Sequence, residues 1–393
     1  MTETHMSDTQ AAQSAAPEGL LGFRPVARLR TGDGRRIAPG LLYRSGTVQF
    51  VDADGAVDLV ARTGLRQIID LRLDYEASTE GSGGFAGTDV AITHAPFAIR
   101  TPVAEGSAVA PMTAPDPLVG TYRGYLAATD VFARIIDALL ADHGVPALVH
   151  CTLGKDRTGV AVGVLLDAVG VLRADICADY LAGADDLPLM VDRLSTMKSY
   201  GDAINVYPPQ ALRIDPATML RFLAWLDIEH GGARSWLRST GIAESRLDAL
   251  GDRLLVSDGG PTTTQILRSA HLPISADAAW AIVGDVAGVH RWVPGLAATS
   301  VENDIRTVTF DDRSQAHEQI IAHDDVGRSY TYRYLDGPIP LDAYESTVTV
   351  GPDHDGTGSL VVWNATLQAT PDVLTAVEGL YDAGMATLRN GVD

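Results

Sequence analysis

The sequence predicts two domains in tandem: an α/β domain with a mainly parallel sheet flanked by helices at residues 20–258, and an α+β domain at residues 265–393. The length of 393 residues allows two or three domains, each with its own core. Strand-like and helical patterns alternate in the first half, which is typical of a parallel sheet. After a Gly/Pro/Thr-rich linker at residues 259–264, alternating strand-like runs lead to a long amphipathic stretch.

Short apolar runs predict the strands of the first sheet. They are residues 41–46 (LLYRSG), 66–72 (RQIIDLR), 91–97 (AITHAPF) and 146–149 (PALV). Residues 128–144 (ATDVFARIIDALLADHG) show helical spacing and end at a glycine, a residue that favours helix termination. These segments predict that polar residues following the strands meet at one edge of the sheet.

The most informative segment is residues 150–160, HCTLGKDRTGV, between a predicted strand and a buried helical stretch that starts at Gly159. Cys151 and Arg157 flank a loop short enough to wrap an anion. Backbone N–H groups of such a loop and the dipole of the following helix can bind an oxyanion. The same field, with His150 beside it, favours the thiolate form of Cys151. A thiolate beneath a phosphate cradle is a nucleophile for phosphoryl transfer.

The loop positions themselves are candidates for phosphate binding, because their backbone N–H groups can point inward and Arg157 offers a planar fork for two oxygens. They are Thr152, Leu153, Gly154, Lys155, Asp156 and Arg157.

Lys155 and Arg44 are two further candidates in the same region. Lys155 and Lys198 are the only lysines of the chain. A compact ammonium at the loop rim could meet a second phosphate of a polyanionic substrate, whereas the simpler interpretation is a surface lysine. Arg44, in the YRSG run, could reach the anion or serve a structural role.

Residues 150–160 resemble the signature loop HC-x5-R-[ST] of the protein tyrosine phosphatases. The GKDRTG ending is similar to that of the bacterial tyrosine and dual-specificity phosphatases related to the secreted mycobacterial phosphatase B. The order YRSG, IIDLR-x3-E and HC-x5-R-TG extends the resemblance over most of the first domain. Leu153 departs from the family, whose members usually carry alanine there.

This resemblance implies a cysteine-dependent phosphomonoesterase with no cofactor and no metal. Cys151 would be the nucleophile that becomes a cysteinyl-phosphate, and Arg157 would bind the transition state. Thr158 could hydrogen-bond the leaving thiolate, and His150 would position the loop. The expected substrate is a phosphotyrosine protein, with phosphoserine/threonine and phosphoinositides as further candidates.

The general acid is left open between two aspartates. Asp70 would lie at the carboxyl end of a strand neighbouring the loop, and Asp156 lies in the loop itself. Asp116, in the irregular stretch 101–120 that resembles a lid, is a third candidate. Arg72 and Glu76 are expected to form an ion pair that braces the site, with solvated surface charges as the alternative.

The second domain resembles the helix-grip fold of the START/Bet v 1-like (SRPBCC, polyketide cyclase-like) superfamily. The resemblance depends on the opening SADAAWAIVGDVAGVHRW, on the antiparallel meander with its late strand SLVVWNATLQA, and on the helix predicted at residues 371–389. It implies an apolar cavity between the sheet and the long helix, and hence an apolar small-molecule ligand. Trp280, Trp292 and Trp363 are expected in the core rather than in a ligand cage.

Composition excludes several classes of partner. The net charge of −20 argues against nucleic acid, and no apolar run is long enough to cross a membrane. Residues 1–19 lack the features of a signal peptide and are expected to be a disordered tail. With two cysteines, of which Cys177 is expected in the core, a cytoplasmic location is favoured; export without a signal stays open.

Two alternatives of other classes stay open. One is a lipid- or polyketide-binding protein whose phosphatase half is regulatory or inactive. The other is a different thiol enzyme with a C-x5-R loop, such as a rhodanese or an arsenate reductase, against which the long IIDLR to GKDRTG correspondence argues.

Overall fold

The computed structural model describes residues 15–100, 116–200, 212–257, 259–353 and 356–391. Within these ranges the chain forms an α/β unit followed by an antiparallel α+β unit with a long C-terminal helix, so the predicted fold class is confirmed. Residues 1–14 of the predicted tail and residues 101–115 of the predicted lid lie outside the described residues. Arg193 Nη1 donates to Gly19 O at 2.5 Å, so the end of the predicted tail contacts the first domain.

The described part of the first domain has a five-stranded sheet in the order β1-β3-β6-β4-β5, and β2 pairs separately with β7. Strands β3, β6, β4 and β5 are parallel, and β1 is antiparallel to β3. The strands are β1 Arg24–Pro25, β2 Arg35–Ile37, β3 Leu42–Ser45, β4 Gln67–Asp70, β5 Ala91–His94, β6 Ala147–His150 and β7 Leu255–Ser257.

Helices cover both faces of this sheet, which buries the short apolar strands β3, β4 and β6 along their whole length. The helices of this domain are α1 Ala53–Thr63, α2 Asp74–Glu80, α3 Pro117–Tyr125, α4 Thr129–Leu140, α5 Asp156–Ala168, α6 Arg173–Leu181, α7 Leu187–Leu194, α8 Pro216–His230, α9 Ala233–Ser239 and α10 Glu244–Leu254.

Strand β6 lies between β3 and β4, and this order positions the site. His150, the last residue of β6, pairs in register with Ser45 of β3 and with Asp70 of β4. The three strands therefore end at the same level, and the loop after β6 leaves the sheet between its two neighbours. Helix α5 follows the loop and is buried over nearly its whole length.

The described part of the second domain is a seven-stranded antiparallel sheet in the order β8-β14-β13-β12-β11-β10-β9. Its strands are β8 Thr264–Leu272, β9 Leu296–Glu302, β10 Ile305–Phe310, β11 Gln315–Asp324, β12 Ser329–Asp336, β13 Ala343–Pro352 and β14 Ser359–Gln368. Its helices are α11 Ala276–Val283 and α12 Pro371–Asn390, with a 3-10 turn at Val289–Arg291. The sheet and α12 form the helix-grip arrangement.

Helix α12 forms where the amphipathic spacing predicts it. Val377, Tyr381, Met385 and Leu388 recur every three or four residues and are buried against the sheet. The ring of Tyr381 stacks on that of Trp363 with 3.7 Å between centroids. Trp280, Trp292 and Trp363 are all part of this buried core, as expected.

The two domains meet where α8 of the first domain packs against strand β14 of the second sheet. Leu220 and Ala224 of α8 pack with Leu360 and Val362 of β14 in one apolar cluster. Strand β8 begins at Thr264, and Thr263 N already donates to Gly32 O at 3.1 Å. The end of the predicted linker is thus held against the first domain.

Among the described residues, no helix combines the length and the apolar character needed to span a bilayer.

Candidate active site

The loop after β6 is packed tightly against β3. Gly154 has φ +64°, a backbone conformation that favours glycine. A Cβ atom at this position would lie 2.2 Å from Ser45 O. Thr47 N donates to Thr152 O at 2.9 Å. These contacts fix the curvature of the loop, and α5 begins directly after it, at Asp156.

Cys151 stands at the start of this loop as a free thiol that is only 2% exposed. His150 Nδ1 donates to Cys151 O at 3.0 Å. Burial lowers the pKa of His150, so its imidazole is neutral at neutral pH. His150 therefore positions the loop rather than charging it, and a thiolate at Cys151 would depend on the backbone N–H groups and the N-terminus of α5.

Arg157, in the first turn of α5, is held by a carboxylate from α2. Its Nη1 and Nη2 donate to the two oxygens of Glu76 at 2.5 and 3.0 Å. Thr152 Oγ1 and Tyr200 Oη donate to Glu76 Oε1 at 2.6 and 2.7 Å. Burial alone would raise the pKa of Glu76, but the Arg157 guanidinium and these hydrogen bonds lower it to about 2. The pair is therefore fully charged at neutral pH, and Arg157 has a fixed orientation.

The expected ion pair between Arg72 and Glu76 is wrong. Arg72 instead binds Asp70, with Nη2 and Oδ2 2.6 Å apart, and also donates to Gly81 O at 2.9 Å. The reason is the packing of α2: its first turn brings Glu76 over the loop and onto Arg157, whereas Arg72 folds back onto the strand end two residues earlier. The pairs Arg72–Asp70 and Arg157–Glu76 thus take the place of the single pair that was expected.

Asp70 lies at the end of β4, as predicted, but its carboxylate is enclosed. Its side chain is 5% exposed and lies 3.6 Å from His150 Nε2. Burial favours the neutral acid, whereas the charge that His150 carries when protonated and the hydrogen bonds from Arg72 lower the pKa of Asp70 to about 2. Because His150 is neutral near pH 7, Arg72 is the partner that keeps Asp70 ionised.

Asp156 is placed quite differently. It is the first residue of α5, directly after the loop, and its side chain is 18% exposed. Tyr122 Oη donates to its Oδ1 at 2.8 Å, and Lys155 Nζ lies 2.9 Å from the same oxygen. Both contacts that the structure describes use Oδ1. Oδ2 is thus the oxygen that could exchange a proton with a substrate.

Lys155 does not lie at the loop rim, and that expectation is wrong. The residue is 1% exposed and its ammonium contacts Asp156 within the protein. Lys155 therefore supports the loop and the adjacent carboxylate from inside.

Arg44 has the structural role that was its alternative. Its Nη1 binds Asp179 Oδ2 at 2.5 Å, and its Nη2 donates to Gly154 O at 2.9 Å. The side chain is buried behind the loop. Arg44 thus holds the loop carbonyl to α6 instead of offering its charge to an anion.

Thr158 and Thr152 use their hydroxyl groups in opposite ways. Thr152 Oγ1 donates its hydrogen bond to Glu76. Thr158 Oγ1 is buried and has no hydrogen-bond partner within the described part of the chain. A free hydroxyl in the first turn of the helix that follows the loop is available as a hydrogen-bond donor. Asp116, the third candidate for the general acid, binds an arginine instead, since its Oδ2 accepts a hydrogen bond from Arg221 Nε at 2.9 Å.

Sequence reasoning missed three tyrosines at this site. Tyr122 Oη contacts both Asp156 and Tyr180 Oη, the latter at 2.5 Å. Tyr200 Oη contacts Glu76. They come from α3, α6 and the segment after α7, and no local spacing connects these segments with the loop.

Among the side chains that the structure describes, no group of three or more His, Cys, Asp or Glu residues could hold a metal ion. Cys177 is the other free thiol, and burial raises its pKa to about 12, which makes it unreactive.

The second domain contains an apolar recess between α12, the 3-10 turn and the sheet. Its empty volume, including the part open to solvent, is about 550 Å³. Most of its lining is apolar, including Val289, Val293, Leu296, Val308, Val377 and Leu380. Arg306 and Glu318 form the charged part of the lining and neutralise each other, with Nε 2.6 Å from Oε2.

Known proteins resemble the chain in two separate parts. The model described as "Tyrosine phosphatase family" matches residues 16–256. The model described as "Polyketide cyclase / dehydrase and lipid transport" matches residues 263–392. The first match covers the described α/β domain, and the second match covers the antiparallel domain that follows it.

Individual relatives match the first part. "Triple specificity protein phosphatase PtpB" of Mycobacterium tuberculosis is 30% identical over 206 residues, which are 46% of this chain and 72% of that protein. "Tyrosine-protein phosphatase" of Nostoc commune is 30% identical over 148 residues, 36% of this chain and 50% of the relative. The first match includes most of the relative, and the phosphatase model spans more than half of this chain: the chain belongs to the tyrosine phosphatase family.

Proposed function

We propose that the first domain hydrolyses phosphotyrosine in proteins through a cysteinyl-phosphate at Cys151. The observation that carries this proposal is the fixed Arg157 guanidinium beside the loop, held by both oxygens of Glu76. A preorganised cation and inward N–H groups stabilise the equatorial oxygens of the transition state without reorganisation. No step requires a cofactor.

In the first step, Cys151 Sγ attacks phosphorus and the bond between phosphorus and the tyrosine oxygen breaks. The departing oxygen takes a proton from Asp156 Oδ2. In the second step, water attacks phosphorus and gives its proton to Asp156, while the phosphorus–sulfur bond breaks. Thr158 Oγ1 then donates a hydrogen bond to the leaving thiolate.

Asp156 is the better of the two candidate acids. Its carboxyl is partly exposed beside the loop, whereas Asp70 is enclosed, bound by Arg72 and ionised at neutral pH. An acid has to reach the leaving group. The enclosed carboxyl of Asp70 does not meet this condition, and its place is to orient His150 and Arg72.

Phosphoinositides are a second candidate substrate class, since the mycobacterial relative is named as a triple specificity phosphatase and so acts on more than one class of substrate. The argument from a rim lysine no longer supports them, because Lys155 is buried. Since a catalytic thiolate requires reducing conditions, we place the activity in the cytoplasm.

For the second domain we propose that the recess binds an apolar ligand. Its lining is mainly aliphatic and aromatic with a few polar groups, a composition that is typical of small-molecule sites. The neutralised Arg306–Glu318 pair offers hydrogen bonds but no net charge. A neutral ligand with an oxygen at one end fits this chemistry best.

The central experiment compares the full chain with its Cys151→Ser and Cys177→Ala variants on a phosphotyrosine peptide. Cys151→Ser should lose essentially all turnover, and Cys177→Ala should keep it. Trapping with acid after brief mixing should show phosphate on the wild-type protein and on Cys177→Ala, and none on Cys151→Ser. Turnover by Cys151→Ser at a near-normal rate would overturn the mechanism. An inert wild type would favour a ligand-binding protein with an inactive phosphatase half.

A further inference from the structure

A continuous chain of contacts runs from the second domain to Asp156. It starts at Thr349 on β13, whose Oγ1 accepts from Arg221 Nη1 at 3.0 Å. Gly327 O accepts from the same nitrogen at 3.3 Å. Arg221 belongs to α8 of the first domain, but its side chain is buried against the second. The guanidinium thus ties α8 to strand β13 and to the turn between β11 and β12.

The other side of the same guanidinium holds the start of α3. Arg221 Nε donates to Asp116 Oδ2 at 2.9 Å. Asp116 is the N-cap of α3, and its Oδ1 accepts from Val119 N. A capping carboxylate fixes the first turn of a helix, so Arg221 fixes the position at which α3 begins.

Helix α3 then carries the contact to the site. Tyr122, less than two turns after Asp116, donates to Asp156 Oδ1 at 2.8 Å. Its hydroxyl is backed by Tyr180 Oη at 2.5 Å, and its ring packs edge-on against Phe222 of α8. Because Tyr122 is fully buried, its side chain cannot readily reorient. A shift of α3 would therefore move the Tyr122 hydroxyl relative to Asp156.

We propose that the second domain positions the general acid, through Arg221 and Tyr122 as positioning residues. With Tyr122 on Oδ1, the carboxyl is oriented so that Oδ2 carries the transferable proton. Gly351 of β13 lies against this pair of side chains. A Cβ atom at this position would lie 2.6 Å from Arg221 Cδ and 3.1 Å from Asp116 Oδ2. The second sheet therefore leaves room for the Arg221–Asp116 pair only because this position is glycine.

This inference depends on the proposed role of Asp156 as the acid, and the two can fail separately. The measured quantity is the ratio of kcat/KM on 4-nitrophenyl phosphate to kcat/KM on phenyl phosphate, because kcat/KM reports the first step, in which the leaving group departs, and not the hydrolysis of the cysteinyl-phosphate that both substrates share. The nitrophenolate leaves without help, whereas phenolate needs a proton. Because both rates come from one sample, the ratio does not depend on the fraction of folded protein.

The test uses Thr349→Val and Gly351→Ala in the full chain. Each should raise the ratio about threefold to tenfold, the effect of one misplaced hydrogen bond. Tyr122→Phe should do the same. The matched control is Thr347→Val, two residues away on the same strand, where the lost partner is Thr331 Oγ1 at 2.9 Å and not Arg221. The control should leave the ratio unchanged.

A double variant with Asp156→Asn separates the two proposals. Asp156→Asn alone should raise the ratio strongly, and adding Thr349→Val should then change nothing further. A flat ratio in Asp156→Asn would disprove the acid itself. A raised ratio in Asp156→Asn together with unchanged ratios in Thr349→Val and Gly351→Ala would overturn the positioning role of the second domain alone.

Discussion

Glu76 holds both terminal nitrogens of Arg157, at 2.5 and 3.0 Å, across 81 residues of sequence. The pair is buried, and a buried guanidinium with one carboxylate partner has a single favourable orientation. That orientation is set before any substrate arrives. The position of α2 over the loop is therefore as much a part of the site as the loop sequence.

Glu76→Gln should reduce kcat/KM on phosphotyrosine peptide by about tenfold to a hundredfold, because the uncompensated Arg157 loses its fixed orientation. Steady-state kinetics on the purified protein measure the loss. The matched control is Glu80→Gln at the end of the same helix, whose carboxylate accepts from Gln49 and Ser199 instead. Equal losses in both variants would contradict a specific role of the pair.

Acid should destabilise the first domain through Asp70 and Glu76. Both folded-state pKa values are lowered to about 2, below the unfolded values of 3.8 and 4.5. Their contribution is therefore complete above pH 4.5 and is lost as the pH falls towards 2, by on the order of 2–3 kcal/mol for each group.

Chemical unfolding at several pH values between 2 and 7 measures this loss in the free energy of unfolding. Glu76→Gln removes one of the two groups, so its free energy should fall less steeply below pH 4.5 than that of the wild type. Parallel curves for the two proteins would show that Glu76 does not supply the acid dependence.

The local part of the site could be predicted from sequence because it depends on short-range order. A strand, a five-residue loop and a buried helix follow one another in residues 147–168, and this order alone places Cys151, Arg157 and Thr158. Parallel pairing likewise predicted that Asp70 would end beside His150. The amphipathic spacing of α12 was sufficient for the long helix of the second domain.

The partners of the charged groups could not be predicted, because they depend on how distant helices pack. Arg72 was expected to pair with Glu76, four residues later in the chain. The packing of α2 instead places Glu76 against Arg157, and Arg72 binds Asp70. Lys155 was expected at the protein surface, where lysines usually lie, yet its side chain is buried. Tyr122 reaches Asp156 from a helix 34 residues earlier, a separation that carries no periodic signal.

Lys155→Met should lower turnover of a phosphotyrosine peptide and of a soluble inositol phosphate by the same factor. The reason is that a buried ammonium bound to Asp156 supports the loop for every substrate. Methionine keeps the length of the side chain and removes the charge. Lys198→Met, at the other lysine, is the control and should change neither rate. A loss confined to the inositol phosphate would show that Lys155 reaches the substrate directly.

The recess of the second domain should prefer a neutral ligand over an anionic one of the same size. Arg306 is buried and stacks 4.3 Å above the Tyr332 ring, and Glu318 already neutralises it. A carboxylate placed beside this pair would add a buried charge without a counter-charge, which is unfavourable. A long-chain alcohol should therefore raise the melting temperature of the full chain more than the fatty acid of equal length does.

Glu318→Gln tests the cause of this preference. It leaves Arg306 without a counter-charge, so the fatty acid should now stabilise the protein more than the alcohol does. Glu302→Gln, on the exposed surface of β9, is the control and should keep the preference of the wild type. An unchanged order of the two ligands in Glu318→Gln would mean that the ligand does not contact the pair. No thermal shift with either ligand in any variant would disprove the binding role of the recess.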